Sequence, residues 1–219
     1  MVVFTAASAA RAQTPSDAGS GRIEIAGGGG LLSGAPFGDT DANLRGNSQN
    51  VQPYRLFASE SRLDRSPSVH LRAGVPLGRR FGLEGGVTWM RPTISTLTSH
   101  DVEGAADMTI SEQVDEYFFD GGITVALNAL RIGARATPFI AAGGGYLRQL
   151  HEGHTIIEHG QVYYAGGGLK YALRSRPAGP MRGIGVRVDA RTYVTSGGIV
   201  LEKGPRPRGA ISGGLYLRF

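Results

Sequence analysis

Apolar residues recur at every second position over most of this chain, and no other feature of the sequence restricts its fold as much. From Arg22 onward nearly every apolar segment alternates in this way, and clusters of Gly, Pro, Asn, Asp or Ser bound each one. Successive side chains of a strand point to opposite faces, whereas an amphipathic helix repeats about every 3.6 residues. The period therefore predicts strands throughout, with no helix between them.

Eight segments show the alternation, and the connections between them are mostly long and short in turn. Bacterial outer-membrane barrels have short periplasmic turns and longer outer loops. We therefore predict an all-β fold, an eight-stranded antiparallel up-and-down transmembrane β-barrel, in which the polar loops 34–66 and 149–160 face outside. The fifth segment is too apolar and too rich in glycine for its inward face to be chosen. The segments are 22–31, 69–77, 81–89, 116–127, 139–148, 163–173, 184–193 and 211–219.

Charged residues occupy the face of these segments opposite the apolar one, often beside glycine. The interior of an eight-stranded barrel is just wide enough for side chains to fill it, and an unpaired buried charge is costly. Five acidic and four basic residues nearly balance, as mutual pairing requires. We predict that they form an interior charge network and that the apolar faces contact lipid. The network comprises Glu24, Arg72, Glu84, Glu116, Asp120, Lys170, Arg187, Asp189 and Arg191.

Two soluble folds fit the same alternation. In a lipocalin-like barrel the apolar side chains point inward around a ligand and the charged side meets water. In a soluble sandwich the charged residues form a solvated outer face. The direction in which the large apolar residues point distinguishes both folds from a membrane barrel.

Composition removes several other classes of protein. The chain has no cysteine, which excludes disulfide scaffolds, thiolate metal sites and thiol catalysis. Its 35 glycines among 219 residues do not recur at every third position, and 41% of the residues are hydrophobic, so neither a collagen-like nor a disordered chain fits. No apolar stretch reaches the roughly 18 residues of a spanning helix. The net charge of +5 is scattered along the chain, and we expect no nucleic-acid partner.

The first residues resemble an export signal. The apolar run VVFTAASAA at 2–10 ends in Ala10, Arg11 and Ala12, a small-x-small cleavage pattern, although no basic segment precedes the run. We predict a truncated signal peptide at 1–12, a linker at 13–20 and a barrel domain at 21–219. The alternative interpretation is the N-terminus of a cytosolic protein.

The last eight residues, SGGLYLRF, carry the most specific motif. Ser212, Gly214, Leu217 and Phe219 match the pattern polar-x-Gly-x-x-hydrophobic-x-aromatic, which looks like the assembly signal of outer-membrane barrels. With the signal-like start and the segments TPFIAAGGGYLR and GVRVDARTY, residues 21–219 resemble the small outer-membrane β-barrel superfamily, of the OmpA transmembrane-domain, OmpX and OmpW type. The resemblance implies a monomer in the outer membrane of a Gram-negative bacterium. Its partners would be outer-membrane lipid, lipopolysaccharide and the barrel-assembly machinery.

Three histidines in the third outer loop, His151, His154 and His159, could provide zinc ligands. A polar loop is the commoner explanation, and we expect no metal and no other cofactor. Lys203, Arg206 and Arg208 in the last loop could meet lipopolysaccharide phosphates, or could form a solvated basic loop.

Ser99, His100 and Asp101 are the one local cluster that resembles a catalytic triad. Adjacent residues of an extended chain point to opposite sides, so the three are not a triad in space. We therefore predict an integral outer-membrane β-barrel protein with a structural or surface-interaction role and no catalytic site. The alternatives are a narrow small-solute channel, a soluble lipocalin-like binding barrel and an outer-membrane lipid-modifying enzyme.

Overall fold

The structure is a computed structural model that describes residues 23–44, 54–151, 156–176, 179–199 and 204–219. The predicted signal peptide and linker, the first two residues of the barrel domain, His154 and Lys203 lie outside the described residues. Within the described ranges, no helix is long and apolar enough to cross a membrane.

Strands account for almost all of the regular structure in the described part of the chain. A single 3-10 turn at Asn128–Leu130 departs from the prediction that no helix lies between strands. The strands are β1 (Glu24–Leu32), β2 (Ala35–Leu44), β3 (Tyr54–Leu63), β4 (Ser66–Leu77), β5 (Phe81–Met90), β6 (Thr93–Ser99), β7 (Met108–Gln113), β8 (Asp115–Ala126), β9 (Ala136–Leu150), β10 (Ile157–Ser175), β11 (Gly183–Gly197) and β12 (Arg206–Arg218).

Eight of these strands form a closed antiparallel barrel in the order β1-β4-β5-β8-β9-β10-β11-β12, and pairing of β12 with β1 closes it. Each predicted segment overlaps one barrel strand, so the predicted fold class is confirmed. The two ends of the barrel differ. At the end where β1 begins and β12 ends, here the turn end, the connections are 78–80, 127–135 and 176–182. The opposite end is the loop end.

The fifth predicted segment lies in β9, and the structure shows which of its faces points inward, a choice that the sequence left open. Phe139, Ala141 and Leu147 are buried, whereas Ile140 and Tyr146 are exposed, so the odd-numbered residues face the interior. The cross-strand neighbours decide this, because Phe139 pairs with Gly168 and fills the space that this glycine leaves.

Four strands outside the barrel correct the prediction that 34–66 is a loop. Strands β2, β3, β6 and β7 form a sheet in the order β2-β3-β6-β7, which we call the surface sheet. Each of its strands joins the barrel strand beneath it through one or two residues, and the barrel strands follow the same order, β1-β4-β5-β8. The surface sheet therefore continues half of the barrel wall past the loop end. The third predicted loop, 149–160, is also shortened, because β9 ends at Leu150 and β10 begins at Ile157.

Glycines allow the closing strands β1 and β12 to approach each other. A Cβ atom added to Gly28 would lie 2.1 Å from the carbonyl oxygen of Gly213, and one added to Gly214 would lie 2.3 Å from that of Gly27. Both distances are far inside van der Waals contact, and the obstructing atoms are backbone. The seam can therefore form only with glycine at these inward positions.

Candidate functional site

The outward face of the barrel is apolar. Large side chains such as Val69, Leu77, Ile123 and Ile211 point away from the interior and are exposed, and Ile211 has the largest exposed fraction among them, 68%. A lipocalin-like barrel would bury such residues around a ligand. The outward direction of these side chains argues against both soluble folds.

Outward aromatic residues, exposed or half-buried, lie at two levels of this apolar face, on four strands at the loop end and on or beside three strands at the turn end, and we call these two levels rings. The loop-end ring runs from Trp89 over neighbouring strands to Tyr163, and within it the Phe119 centroid lies 6.3 Å from that of Tyr117 and 6.5 Å from that of Tyr146. Along the described barrel strands, no outward position between the two rings carries a charged side chain. Such a band between aromatic girdles is typical of outer-membrane barrels. The ring members are Trp89, Tyr117, Phe119, Tyr146 and Tyr163 at the loop end, and Phe81, Tyr171 and Phe219 at the turn end.

All nine residues of the predicted network lie inside the barrel. Glu24 and Lys170 are half-buried and the other seven are buried. They fall into three groups along the barrel axis, because inward positions recur at every second residue of each strand.

The middle group is centred on Arg187. Its guanidinium donates from Nε to Asp189 Oδ2 at 2.8 Å and from Nη2 to Asp189 Oδ1 at 2.9 Å, a bidentate pair, and it also donates to Glu84. Arg191 donates from Nη2 to Glu84 Oε1 at 2.8 Å, and its Cζ lies 4.6 Å from the ring centroid of Tyr164. The two carboxylates and two guanidinium groups therefore neutralise one another within one layer.

Arg72 links this layer to Asp120. Its Nη1 lies 3.5 Å from Glu84 Oε1 and 3.6 Å from Asp120 Oδ1, and its Nη2 donates to the hydroxyl of Tyr193 at 3.3 Å. Within the described residues neither carboxylate oxygen of Asp120 accepts a hydrogen bond. Asp120 thus interacts with the Arg72 guanidinium through charge, rather than by accepting a hydrogen bond.

The turn-end group is smaller and partly open to solvent. Lys170 donates to Glu24, and Arg218 Nη2 lies 3.2 Å from Glu24 Oε2. Arg218 is half exposed, so this group joins the interior to the water at the turn end.

The loop-end group contains two residues that the sequence analysis placed elsewhere. Arg208 donates to Glu116 Oε2 at 2.6 Å, and Gln149 donates to Glu116 Oε1 at 2.9 Å. Arg206 lies with its Cζ 4.9 Å from the ring centroid of Phe37 and donates to the carbonyl oxygen of Ile199 at 2.7 Å. Both arginines are buried. They therefore do not form a solvated basic loop or meet lipopolysaccharide phosphates, because β12 begins at Arg206 and turns both side chains inward.

Apolar and aromatic side chains fill the rest of the interior. Phe118 and Tyr193 pack with ring centroids 5.2 Å apart, and Tyr164 lies 5.8 Å from Tyr193. At the loop end, Phe37 and Leu63 of the surface sheet cover Glu116, Gln149, Thr195, Arg206 and Arg208, and the space among these residues has no room for a water molecule. The alternation that assigns the charged residues to the inward face also assigns Phe118 and Tyr193 to it. The cover at the loop end does not follow from this alternation, because Phe37 and Leu63 belong to the surface sheet.

The residues of the predicted assembly signal lie on or beside β12. Ser212 pairs with Gly30 and Asp189, Gly214 with Gly28 and Arg187. Leu217 pairs with Ile25, and the Phe219 amide donates to the carbonyl oxygen of Ile23 at 2.9 Å. All of them therefore contribute to the strand that closes the barrel.

The two described histidines of the predicted loop set, His151 and His159, have different partners. His151 Nδ1 lies 2.7 Å from Glu112 Oε1, whereas His159 stands on the outer wall, where it hydrogen-bonds Tyr146. No metal-ligand cluster of three His, Asp or Glu side chains occurs among the described residues.

Ser99, His100 and Asp101 do not form the chain of hydrogen bonds of a catalytic triad. Ser99 Oγ lies 3.0 Å from His100 Nδ1, but Asp101 Oδ1 accepts a hydrogen bond from the Glu103 amide at 2.9 Å. His100 has a left-handed backbone, φ 57°, which belongs to the bend after β6.

The surface sheet is mostly exposed beyond its base. Strand β7 is an edge strand, and Met108 and Ile110 on one of its faces are both exposed. Phe57, Tyr54 and Val102 add further exposed apolar area on the same projection. Exposed apolar side chains on a projection of this kind make it a candidate interaction site.

Comparisons with known proteins agree with this architecture. No protein family and no curated protein matches the sequence. Among solved structures, the chain is similar to the outer membrane protein OprG from Pseudomonas aeruginosa, with a TM-score of 0.51 and 12% identity over 91% of this chain and 96% of that one. It is also similar to Neisserial surface protein A, NspA, with a TM-score of 0.56 and 11% identity over 91% of this chain and 98% of that one. This chain therefore has the fold of the small outer-membrane β-barrel superfamily.

Proposed function

We propose that this protein is an integral barrel of a Gram-negative outer membrane that is closed to solutes and uses the surface sheet for contacts outside the cell. The observation that carries the proposal is the charge-free apolar band between two aromatic rings, with the charged residues paired inside. Lipid is the medium that suits such a wall, because in water the band would be a large exposed apolar surface. The connections at the turn end are then periplasmic, and the surface sheet faces outward.

The filled interior supports a structural or interaction role over passage of solutes. Three groups of paired charges, the Phe118 and Tyr193 layer and the cover formed by Phe37 and Leu63 succeed one another along the axis. Wide aqueous pores need about 16 strands or more, so this barrel is too small for a wide channel. The proposal includes no catalytic step and no resident cofactor, and the protein acts as a monomer.

The first test is the migration of the protein on gels. Outer membranes from expressing cells are extracted in detergent and run with and without boiling. We expect a boiling-dependent shift, because a barrel whose backbone groups are all paired in a closed ladder resists detergent until it is heated. A protein that stays in the soluble fraction and shows no shift would overturn the proposal.

The second test concerns the surface sheet. We expect replacement of Met108 and Ile110 by serine to lower attachment of expressing cells to a cultured epithelial monolayer toward that of cells with empty vector. The matched control replaces Leu130 and Ile132, which are equally exposed apolar residues at the turn end, and should leave attachment unchanged. Attached cells are counted after washing, and the boiling-dependent shift verifies that each variant folds.

If the unaltered protein does not raise attachment above the empty vector while it shows the gel shift, the interaction role fails and the membrane location stands.

A further inference from the structure

Arginines gather at the turn end, in connections that contain no acidic side chain. No aspartate or glutamate occurs in 78–80, 127–135 or 174–182, and eight arginines lie in these segments or at the end of β12. Six of the eight are exposed, and the other two, Arg182 and Arg218, are half-buried. We call this set the basic rim, and its members are Arg79, Arg80, Arg131, Arg135, Arg174, Arg176, Arg182 and Arg218.

Backbone hydrogen bonds between neighbouring segments hold the basic rim together. The Ala172 amide donates to the carbonyl oxygen of Arg135 at 2.9 Å. The Arg176 amide donates to the carbonyl oxygen of Arg182 at 2.7 Å, and the Arg182 amide donates to that of Arg218 at 2.7 Å. The fold therefore gathers arginines that are scattered along the sequence into one surface.

The two ends of the molecule have opposite charge. The surface sheet and its connections, 35–64 and 91–113, contain eight acidic residues and four arginines. Of the 23 lysines and arginines in the chain, eight belong to the basic rim, and the other 15 are outnumbered by the 18 acidic residues. The positive net charge of the protein therefore comes from the turn end.

Most of the basic rim has no acidic partner within the described part of the chain. Glu24 stands at this end of the barrel, but it already pairs with Lys170 and Arg218. Among the described residues, none of the other seven arginines forms an ion pair. Like charges held side by side repel one another, so an anionic partner that binds here stabilises the folded protein.

The hairpin between β10 and β11 carries part of the basic rim past the membrane surface. Tyr171 belongs to the turn-end aromatic ring, and β10 continues to Ser175, which pairs with Gly183 of β11. Arg176 lies about 16 Å beyond Tyr171 along the chain, or roughly 12 Å along the membrane normal for a strand tilted by about 40°. The headgroup layer of a bilayer is about 5–8 Å thick on each side, so Arg176 extends beyond it.

Exposed apolar side chains stand among these arginines. Leu130 and Ile132 flank Arg131 and are 63% and 68% exposed. The connection that carries them is tied to the neighbouring one, because the Asn128 side chain donates to the carbonyl oxygen of Arg79 at 2.8 Å. A partner that matches this surface therefore needs carboxylates together with apolar side chains.

We propose that the turn end is a second docking surface, which binds an acidic polypeptide segment with apolar side chains from a soluble protein of the periplasm. The proposal rests on the proposed function for the side of the membrane that the turn end faces. Arginine suits this partner, because its planar guanidinium pairs with a carboxylate through two parallel hydrogen bonds. Lipid headgroups could satisfy Arg80, which is adjacent to the aromatic ring, but not Arg176 on the projecting hairpin.

The test is the fluorescence anisotropy of a short labelled peptide of glutamate and leucine, titrated with the full chain refolded in a zwitterionic detergent. A second peptide has glutamine at each glutamate position. We expect the glutamate peptide to bind and the glutamine peptide not to bind. Arg135→Gln, Arg174→Gln and Arg176→Gln together should weaken binding roughly tenfold, the combined effect of three exposed ion pairs.

A second variant tests the apolar part of the surface. Leu130→Ser with Ile132→Ser should also weaken binding of the glutamate peptide, because both side chains lie between arginines of the basic rim. Two control variants remove the same residue types from the loop end and should bind like the unaltered protein: Arg55→Gln with Arg62→Gln and Arg91→Gln, and Met108→Ser with Ile110→Ser.

Equal binding of the two peptides, or equal affinity of the arginine variant and the unaltered protein, would overturn the proposal. It would also fail if the glutamate peptide does not bind while the arginine variant loses affinity for phosphatidylglycerol added to the detergent, since the inner leaflet would then be the occupant. Every variant is first checked for the boiling-dependent gel shift. Absence of that shift in the unaltered protein counts against the proposed function, whereas a normal shift without peptide binding counts against the docking surface alone.

Discussion

We expect Gly28→Val to yield no folded barrel, and we expect Gly27→Val, one residue earlier, to fold as the unaltered protein does. The inward Cβ at position 28 would lie 2.1 Å from the Gly213 carbonyl oxygen and 2.6 Å from the Gly214 Cα. These are backbone atoms of the partner strand, so relief requires β1 and β12 to separate. At the outward Gly27 a Cβ would meet its nearest atoms at 3.8 Å. The same substitution therefore has opposite consequences on the two faces of one strand.

Refolding into detergent, followed by electrophoresis with and without boiling, measures this effect. The Gly28 variant should show only the band of the unfolded chain, and the Gly27 variant should show the shifted band. Refolding of both variants with equal yield would mean that the seam is wider than the structure shows.

We expect Arg187→Ala to lower the free energy of unfolding by about 3–5 kcal/mol, the usual cost of removing one partner from a buried ion pair. The change leaves the buried Asp189 without its bidentate partner and the buried Glu84 with fewer donors. Arg218→Ala is the matched control, because Arg218 also pairs with a carboxylate but is half exposed. We expect it to cost no more than about 1 kcal/mol.

Urea titration of the lipid-refolded protein, followed by the fluorescence of Trp89, its single tryptophan, provides the measurement. Asp189→Ala should shift the midpoint in the same direction as Arg187→Ala, since it strands the guanidinium. Unchanged midpoints in both variants would contradict a paired interior.

The period of two was sufficient to place the barrel strands and, except in β9, the direction of their side chains. Glu84, Arg187 and Asp189 could be assigned to one face because each strand presents its residues alternately, and that face proved to be the interior. Arg206 and Arg208 obey the same parity as Ser212, yet the neighbouring prolines suggested a loop. Three more steps of the alternation along β12, from Ser212 back to position 206, would have included both arginines.

The surface sheet and the glycine seam between β1 and β12 could not be predicted in this way. Strand β2, APFGDTDANL, has no continuous apolar face, and its pairing depends on the barrel strands beneath, which hold its neighbours in register. The seam arises where β12 meets β1, strands from opposite ends of the sequence. Neither signal exists within a single segment, because both depend on which strands become neighbours.

The strands of the surface sheet follow the order of the barrel strands below them. The residues that fix the sheet in place are therefore different from the residues that it exposes. Backbone ladders and a few side chains at its base, such as Phe37, Leu63 and Ser61, fix it, while most of β7 and the exposed face of β3 contribute little buried area. Substitutions on those faces leave the barrel intact. Such a projection can change in sequence without loss of the barrel, and for the same reason it is a suitable place to insert a foreign peptide.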